Sequence, residues 1–387
     1  MSAPPTILLL YDHFLPAWKA GGPIRSLEQL IHQTYNHFNF YVICSAFDQG
    51  EKKVLDNIQT DTWCEWKGMA KVYYHSKQPS LSFFKKTFQQ INPDIIFLNG
   101  LYSSSYHIKP LMAALSYTSQ NNSIQIILSP RGMLHPGALS QKRWKKWLYF
   151  LFFKLSGIPQ KISWHATDEK EVHFIRQQFK RARIHIAGNF PQLFQPLPSP
   201  TKEKGTLIMG TIALISPMKN HLEILKSLQQ IQQAITWHIY GPIKDTSYWH
   251  SCTHLIQELP SHIEVIYHGA IQPDELEHAL QKMQVFVMPS KSENFGHAII
   301  EALSVGKPVI TTNSTPFTHL QQHQAGYTLS LNNLQSELQH AISFFADMHQ
   351  EQLATYQQGA VDYANRFVNN EKVRKEYVGM FGKRGSS

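Results

Sequence analysis

The chain has 387 residues, of which 42% are hydrophobic and 16% are charged, with a formal net charge of +9. This composition excludes a disordered or coiled-coil chain, and the length exceeds the roughly 250–300 residues at which a single core stops growing. We therefore expect two domains. The positive charge favours an anionic partner, such as nucleic acid, an anionic membrane surface or a phosphorylated substrate, without choosing between them.

Cysteine usage and the N-terminal segment indicate a cytoplasmic protein. Cys44, Cys64 and Cys252 lie far apart, with no CxxC pair or metal-ligand spacing, which is typical of a reducing compartment. The segment before the apolar run 7–11 lacks a basic region, and that run is too short for a signal peptide core. The longest aromatic-apolar run, 147–153, is far shorter than the about 20 residues of a spanning helix. Peripheral contact with the inner face of the plasma membrane stays open.

Short apolar runs alternate with helix-period segments in the first half of the chain. Such alternation predicts a parallel sheet that is covered by helices on both faces. The predicted strands are 6–10, 40–44, 71–74, 94–98, 124–128, 162–166 and 183–186, and the clearest helices are 23–37, 80–90 and 109–117. We assign residues 1–190 to a first, Rossmann-like domain.

A proline-rich break separates this domain from a second one. Residues 189–205 contain four prolines and a charged end, so we predict a linker over 191–205. The alternation then restarts and predicts a second Rossmann-like domain over 206–365, followed by a helical tail over 366–387 that packs back on the first domain. The predicted strands of this half are 206–213, 235–240, 263–267, 285–288, 308–312 and 326–329, with helices such as 221–233 and 274–283. Two doubly wound α/β domains that face an interdomain cleft are the predicted fold, because ligands bind at the carboxyl ends of such strands.

The most informative segment is 290–310, which reads SKSENFGHAIIEALSVGKPVI. A helix that begins near Gly296 leaves Glu293 in the preceding loop and places Glu301, eight residues later, on its second turn. Backbone amides of residues 294–296 then point towards a ligand, and amides at a helix start bind anions and sugar hydroxyls. Carboxylates are good acceptors for the vicinal hydroxyls of a ribose. The alternative is an ordinary strand–loop–helix with two solvated glutamates.

This segment resembles the E-x7-E signature of the retaining GT-B glycosyltransferases of glycosyltransferase family 4. The resemblance implies that Glu293 lies near the donor sugar and that Glu301 binds the nucleotide ribose. It also implies that the backbone at Asn294, Phe295 and Gly296 grips the sugar. The resemblance covers about residues 7–367 and is greatest to bacterial members that build surface polysaccharides.

A glycine loop follows the first predicted strand. Gly21 and Gly22 permit close backbone approach, and Pro23 suits the start of a helix. The resemblance implies that this loop approaches the donor diphosphate and the acceptor, whereas a plain strand–helix turn is the alternative. The loop lacks the GxGxxG pattern, which argues against a dinucleotide oxidoreductase.

Three further segments are similar to loops of the bacterial members. They are 99–103, 129–147 and 240–245. The resemblance implies acceptor-side positions for Asn99 and His135 and a donor-side position for Gly241. For His135, a turn histidine is the alternative interpretation.

The sequence departs from the family at one position of a basic pair. Family members usually have an Arg and, five residues later, a Lys on the first loop of the second domain. Lys219 stands at the Lys position, but Leu214 stands where the Arg is expected. Loss of one donor to a developing negative charge costs about 2–4 kcal/mol. Arg131, Lys291 and Arg25 are candidate replacements, and the sequence does not choose between them.

Residues 142–154, which read KRWKKWLYFLFFK, predict a helix with a cationic start and an apolar body. Two interpretations stay open. One is an interfacial helix that rests on anionic lipid near a lipid-linked acceptor, which the Lys, Arg and Trp residues favour. The other is a buried domain helix with a charged first turn, which the apolar body favours. No nucleic-acid-binding motif accompanies the stretch, so we expect no nucleic acid partner.

Together these features predict a retaining, metal-independent glycosyltransferase that needs no cofactor besides its nucleotide-sugar substrate. The donor would be UDP- or GDP-linked, and the acceptor a glycan or lipid-linked glycan of surface polysaccharide or lipopolysaccharide. The expected catalytic residues are Glu293, Lys219 and Arg131, and the expected donor-binding residues are Gly21, Gly22, Lys219, Gly241, Asn294, Phe295, Gly296 and Glu301. The alternatives are a sugar-nucleotide epimerase or phosphorylase on the same fold and a non-catalytic sugar-nucleotide or glycan-binding protein.

Overall fold

In the computed structural model, which describes residues 3–119, 124–135, 139 and 143–382, the chain divides into two units. The first unit comprises Met1–Phe190 and Asn369–Ser387, and the second comprises Pro191–Val368. The chain therefore leaves the first unit after Phe190 and returns to it at Asn369.

A sheet of eight strands, counted over the described residues, forms the centre of the first unit. The strands are β1 Thr6–Leu10, β2 Asn39–Ser45, β3 Trp63–Trp66, β4 Ala70–His75, β5 Ile95–Asn99, β6 Gln125–Ser129, β7 Ser163–Ala166 and β8 Arg183–Ile186. Their order is β3-β4-β2-β1-β5-β6-β7-β8, and all pairs are parallel except the antiparallel pair of β3 and β4. Ile7 and Leu9 of β1 pack into one core and Leu8 and Leu10 into the other, so both faces of the strand are buried. This two-sided burial explains the continuous apolar runs.

The second unit contains a parallel sheet with the order β11-β10-β9-β12-β13-β14. Its strands are β9 Thr206–Ile212, β10 Ala234–Tyr240, β11 Ile263–Gly269, β12 Val285–Met288, β13 Val309–Thr312 and β14 Gly326–Leu329. All of the pairs between neighbouring strands are parallel. The strand order reverses between β9 and β12, which is the type of position where ligands bind in open α/β sheets.

Helices cover the sheets of both units. In chain order they are α1 Gly22–Thr34, α2 Leu81–Ile91, α3 Lys109–Thr118, α4 Arg143–Leu155, α5 Ile158–Lys161, α6 Glu169–Gln178, α7 His221–Leu228, α8 Thr246–Gln257, α9 Leu276–Gln281, α10 His297–Ser304, α11 Leu334–Ala346, α12 Gln350–Phe367 and α13 Asn370–Phe381. In the part of the chain that the structure describes, no helix has both the length and the hydrophobicity that crossing a bilayer requires.

The predicted strands are confirmed to within two residues at each end, but β3 was missed. Its four residues, Trp-Cys-Glu-Trp, contain no β-branched side chain, and the strand pairs only at the edge of the sheet. The final helical stretch consists of three helices, α11 to α13. The last of them belongs to the first unit, where Phe381 makes edge-to-face contacts with Phe38 and Phe97.

The proline-rich segment 191–205 has neither helix nor strand and belongs to the second unit. It is fastened there along its length: the amide of Leu197 donates to the carbonyl of Val305 (3.1 Å). The buried ammonium of Lys307 donates to the carbonyl of Pro198 (3.0 Å) and to the hydroxyl of Ser199. The segment is therefore an anchored strap along the second unit, whereas the sequence predicted only a linker.

Candidate active site

Lys219 and Glu293 form an ion pair between two neighbouring loops of the second unit. Lys219 ends a short 3-10 turn that follows β9, and Glu293 lies in the loop that follows β12. Strands β9 and β12 are adjacent and parallel, so both loops leave the same edge of the sheet. Only 17% of the Lys219 side chain and 13% of the Glu293 side chain are exposed. A partly desolvated ion pair at the carboxyl edge of a parallel sheet marks a candidate site.

Hydrogen bonds hold these two loops together. Asn220 adopts a left-handed backbone (φ 57°), and its side-chain amide donates to the carbonyl of Pro289 (2.8 Å). The amide of Lys291 donates to the carbonyl of Met218 (2.8 Å), one residue before Lys219. Three residues are candidate replacements for the missing Arg. Of these, Lys291 lies on the loop that is hydrogen-bonded to the Lys219 loop. Its side chain is exposed.

Gly296 ends the second loop and begins α10, as the sequence predicts. Its φ of 80° lies in the left-handed region, where side chains are rarely accommodated. A Cβ there would come within 3.0 Å of the Phe317 ring and 3.7 Å of the Glu293 Cβ. The N-cap residue of α10, Gly296 itself, has no side chain with which to cap the helix. The backbone amides and the positive end of the helix dipole therefore lie close to Glu293, where they favour negative charge.

The Glu301 side chain is buried on the second turn of α10, with 1% of the residue exposed. A carboxylate is buried only when polar partners compensate for its lost hydration. The alternative interpretation of two solvated glutamates is therefore wrong, since Glu293 is also largely covered. The ribose contact of Glu301 stays a prediction.

Gly241 lies where β10 ends, and its backbone (φ 138°) permits a close approach between strands. A Cβ at this position would overlap the carbonyl oxygen of Ala213, which follows β9. The hydroxyl of Tyr267 donates to the carbonyl of Gly241 (3.0 Å), and the Tyr240 ring stacks on His268 at 4.4 Å between ring centres. A flat aromatic pair therefore lies beside the ends of β10 and β11.

In the first unit, Arg131 is held by two asparagine side chains. Its Nε donates to Oδ1 of Asn99 (3.0 Å), and its Nη1 donates to Oδ1 of Asn189 (2.9 Å). Its backbone is left-handed (φ 50°), which is uncommon for a residue with a side chain. The guanidinium is thus a positioned group, and Asn189 is a partner that sequence reasoning did not identify.

Glu171 holds the loop that carries Arg131, and sequence reasoning missed it too. It is 2% exposed and accepts hydrogen bonds from the amide of Gly132 (2.7 Å) and from the amide and hydroxyl of Thr167 (2.8 and 2.9 Å). Burial raises the pKa of Glu171, and these donors oppose that effect. The sequence gave little sign of this role. Glu171 lies in the first turn of α6, after the N-cap Asp168, where acidic residues are common.

The glycine loop adopts the conformation that its sequence predicts. Gly21 (φ 70°) immediately precedes α1, which begins at Gly22. The carboxylate of Asp48 accepts hydrogen bonds from the amides of Trp18 (3.0 Å) and Lys19 (3.1 Å). Asp48, which lies outside the glycine motif, therefore holds the backbone that leads to the two glycines. Nothing lies within 4 Å of a Cβ built on Gly21, so the backbone angle, rather than crowding, requires glycine here.

His135 has the contacts of a turn histidine. Its amide donates to the carbonyl of Gly132 (3.1 Å), and its ring meets the edge of Phe174 at 5.1 Å. Burial, with a smaller effect from Lys170, lowers the pKa of His135. An acceptor contact at His135 stays a prediction.

The candidate residues thus fall into two groups, one in each unit. The second unit contains Lys219, Gly241, Glu293, Asn294, Phe295, Gly296 and Glu301, and the first contains Gly21, Gly22, Asn99, Arg131 and His135. Leu214, at the position of the expected Arg, is partly buried in the loop between β9 and the Lys219 turn.

Both units have the α/β architecture of the GT-B glycosyltransferases. Sucrose-phosphate synthase from Thermosynechococcus elongatus aligns with 97% of this chain and 98% of its own, with a TM-score of 0.73 and 16% identity. Anabaena HepE, solved with UDP and glucose, aligns with 98% of this chain and 100% of its own, with a TM-score of 0.69 and 16% identity. At these identities, the likeness establishes the fold.

The sequence of the second unit resembles that of known glycosyltransferases. Residues 189–360, which are less than half of the chain, match the family model of glycosyl transferases group 1. The sulfoquinovosyl transferase SQD2 of Arabidopsis thaliana is 32% identical over 153 residues, which are 39% of this chain and 26% of the plant protein. The O-antigen biosynthesis glycosyltransferase WclY of Escherichia coli is 35% identical over 71 residues, which are 18% of this chain and 20% of its own. The matched regions thus span about a quarter or less of these relatives.

Proposed function

We propose that this protein transfers a sugar from a nucleotide-sugar donor to a glycan or lipid-linked glycan, with retention of configuration at the anomeric carbon. The observation that carries the proposal is the ion pair of Lys219 and Glu293 beside the start of α10, whose N-cap residue is Gly296. A single sheet edge thereby combines a cation, a carboxylate and a helix dipole. Transfer from a diphosphate donor needs such groups, since negative charge develops on the leaving group and positive charge on the sugar ring.

Each group has a distinct role in this proposal. Lys219 and the amides that begin α10 stabilise the leaving diphosphate, and Glu293 stabilises the positive charge on the sugar. Glu301 accepts the ribose hydroxyls, and the stacked Tyr240 and His268 lie near the base. In the first unit, the Gly21–Gly22 loop approaches the donor diphosphate, and the acceptor hydroxyl enters near this loop and the catalytic Arg131. Asn99 and His135 lie on the acceptor side.

Two relatives support the choice of donor and pathway. HepE was solved with UDP and glucose, which favours a UDP-sugar over a GDP-sugar. WclY acts in O-antigen biosynthesis, which supports a role in surface polysaccharide or lipopolysaccharide assembly at the inner face of the plasma membrane. We also propose that transfer needs no divalent metal, because the sequence has no DxD pair of metal-binding acids.

Thermal unfolding with UDP, GDP and their common sugars tests donor binding. A ligand at a hundred times its Kd stabilises the native state by about 2.7 kcal/mol, so the true donor raises the Tm clearly. The increase should be lost in Glu301→Gln and kept in Glu277→Gln, which changes an exposed glutamate of α9 in the same unit. Unliganded Tm values of both variants control for folding. No increase with any nucleotide would refute the donor site.

A non-catalytic sugar-nucleotide-binding protein is the second candidate, because Leu214 stands in place of the expected Arg. Both candidates predict nucleotide binding, so the assay must follow transfer to an added glycan in the presence of EDTA. Product with the anomeric configuration of the donor supports the enzyme. Tight binding without transfer or hydrolysis across a donor panel supports the binding protein, and turnover of donor without an acceptor supports an epimerase or hydrolytic activity.

A further inference from the structure

Helix α4, Arg143–Leu155, has two apolar faces, of which only one is buried in the first unit. On the buried face, Phe150 and Phe153 pack against Phe179 at 6.0 and 5.7 Å between ring centres. The opposite face consists of six large apolar side chains, each 37% to 75% exposed: Trp144, Trp147, Leu148, Leu151, Phe152 and Leu155. Their spacing of three, one, three, one and three residues places them on one side of a helix. We call these six residues the α4 face.

The α4 face is unusual in its density. Single exposed apolar residues are normal on protein surfaces, whereas contiguous apolar patches indicate interaction sites. Here a helix of 13 residues presents six of them. The sequence left open whether the apolar body of this helix is buried. The structure divides it between the core and the exposed face.

The charge of α4 restricts what can cover this face. Its sequence contains four basic residues and no acidic residue. The ammonium of Lys146 lies 5.2 Å from the centre of the Tyr102 ring, and that of the exposed Lys154 donates to Gln178 (3.4 Å). Lys142, which precedes the helix, lies outside the described residues. A second copy of the chain would bring two such cationic helices together across a symmetric interface, which like charges disfavour.

We propose that the α4 face docks the first unit on an anionic phospholipid surface. The apolar side chains enter the boundary between headgroups and acyl chains, and the lysines contact lipid phosphates. Tryptophan suits this boundary, since its ring is apolar and its N–H is polar. A helix of this length lies along the surface, because about 20 residues are needed to cross the bilayer. The docking does not depend on the sugar-transfer function.

Vesicle binding tests the docking surface. We expect the protein to sediment with vesicles of phosphatidylethanolamine and phosphatidylglycerol and to bind pure phosphatidylcholine weakly. The double variant W147S/F152S should bind the anionic vesicles at least roughly tenfold more weakly, because each side chain loses its burial in the bilayer. The matched control is Met112→Ser, which removes a 56%-exposed apolar side chain from α3 of the same unit and should bind normally. Equal Tm values show that the variants are folded.

Tryptophan fluorescence locates the contact. Of the eight tryptophans, Trp144 and Trp147 are the ones with large exposed surfaces, so brominated phosphatidylglycerol should quench these two. Absence of vesicle binding, or binding that W147S/F152S leaves unchanged, would overturn the proposal. So would a concentration-dependent dimer that this variant abolishes without any vesicle binding, since the face would then join two copies. Nucleotide-induced Tm shifts in the same samples report the donor site separately.

Discussion

The ammonium of Lys219 contacts Oε1 of Glu293 across two loops that are also joined by the side chain of Asn220 and by a backbone hydrogen bond. Each charge thus has a partner within the second unit. A diphosphate donor offers Lys219 a second anion, and the positive charge that develops on the sugar offers Glu293 a second cation. Interactions that strengthen only in the transition state are the ones that accelerate a reaction.

We expect Glu293→Gln to lower kcat by roughly a hundredfold or more, because the amide cannot stabilise a positive charge as the carboxylate does. Donor binding should change little, since the proposed role of Glu293 is to stabilise the reacting sugar rather than to bind the nucleotide. Transfer rates and nucleotide-induced Tm shifts of the same preparation measure the two effects. Glu277→Gln is the matched control, and an undiminished rate in Glu293→Gln would exclude the proposed role.

Lys219→Met should cost about 2–4 kcal/mol of transition-state stabilisation, as removal of one donor to a developing anion does. The double variant Lys219→Met/Glu293→Gln completes a double-mutant cycle. Since the two groups are in contact, we expect their effects to be non-additive by at least about 0.5 kcal/mol. Additive losses in kcat/KM would show that the pair does not act as a unit.

Gly296→Ala tests the left-handed turn before α10. The new Cβ meets the Phe317 ring at 3.0 Å, and the positive φ adds strain, so we expect a loss of about 1–3 kcal/mol of stability. The nucleotide-induced Tm shift should also fall. Gly379→Ala in α13 is the control, because nothing lies within 4 Å of its added Cβ and alanine favours helix. Equal Tm values for both variants would contradict this account.

Much of the fold and of the second-unit site could be predicted from local sequence. Fully apolar strands, a glycine before a helix and two acids on one loop-and-helix are patterns within about 20 residues of chain, and the structure contains each of them. The edge strand β3 was not predicted because it has only four residues, none of them β-branched, and a glutamate interrupts its apolar pattern. Burial of Glu301 was not predictable either, since an isolated glutamate at a helical position is usually exposed.

The network around Arg131 could not be predicted, because it joins distant parts of the chain. Asn189 is 58 residues from Arg131, and Glu171 is 39 residues from Gly132. No periodicity connects such positions. The sequence therefore identified Arg131 as a cation of interest but gave no sign that two asparagines hold it.

Arg131→Lys should lose both asparagine hydrogen bonds, since an ammonium group cannot reproduce the planar fork of a guanidinium. We expect a loss of about 1–3 kcal/mol in stability, because Asn99 and Asn189 are buried and would be left unsatisfied. Urea unfolding measures this loss. The control is Arg176→Lys on the exposed side of α6, and equal losses in both variants would contradict a positioned Arg131.

Lys307 lies in the segment 290–310. Its buried ammonium holds the strap 191–205 on the second unit by donating a hydrogen bond to the carbonyl of Pro198. Burial lowers the pKa of Lys307 from its usual 10.5 to about 8. Between these pH values the unfolded chain keeps a proton on this amine that the folded chain has lost. The titration of Lys307 therefore makes the folded protein more stable as the pH rises through this range. The free energy of unfolding increases by at most about 1.4 kcal/mol per pH unit.

Lys307→Met should remove this contribution. Urea unfolding of both proteins at intervals from pH 7.5 to 9.5 measures it, and we expect the stability of the native protein to rise relative to that of the variant across this range, by about 1–2 kcal/mol in total. Lys244→Met, at an exposed lysine of the same unit, controls for loss of a charge. Parallel curves for the native protein and Lys307→Met would mean that the buried amine does not release its proton in this range, because its carbonyl and hydroxyl acceptors hold the ammonium form.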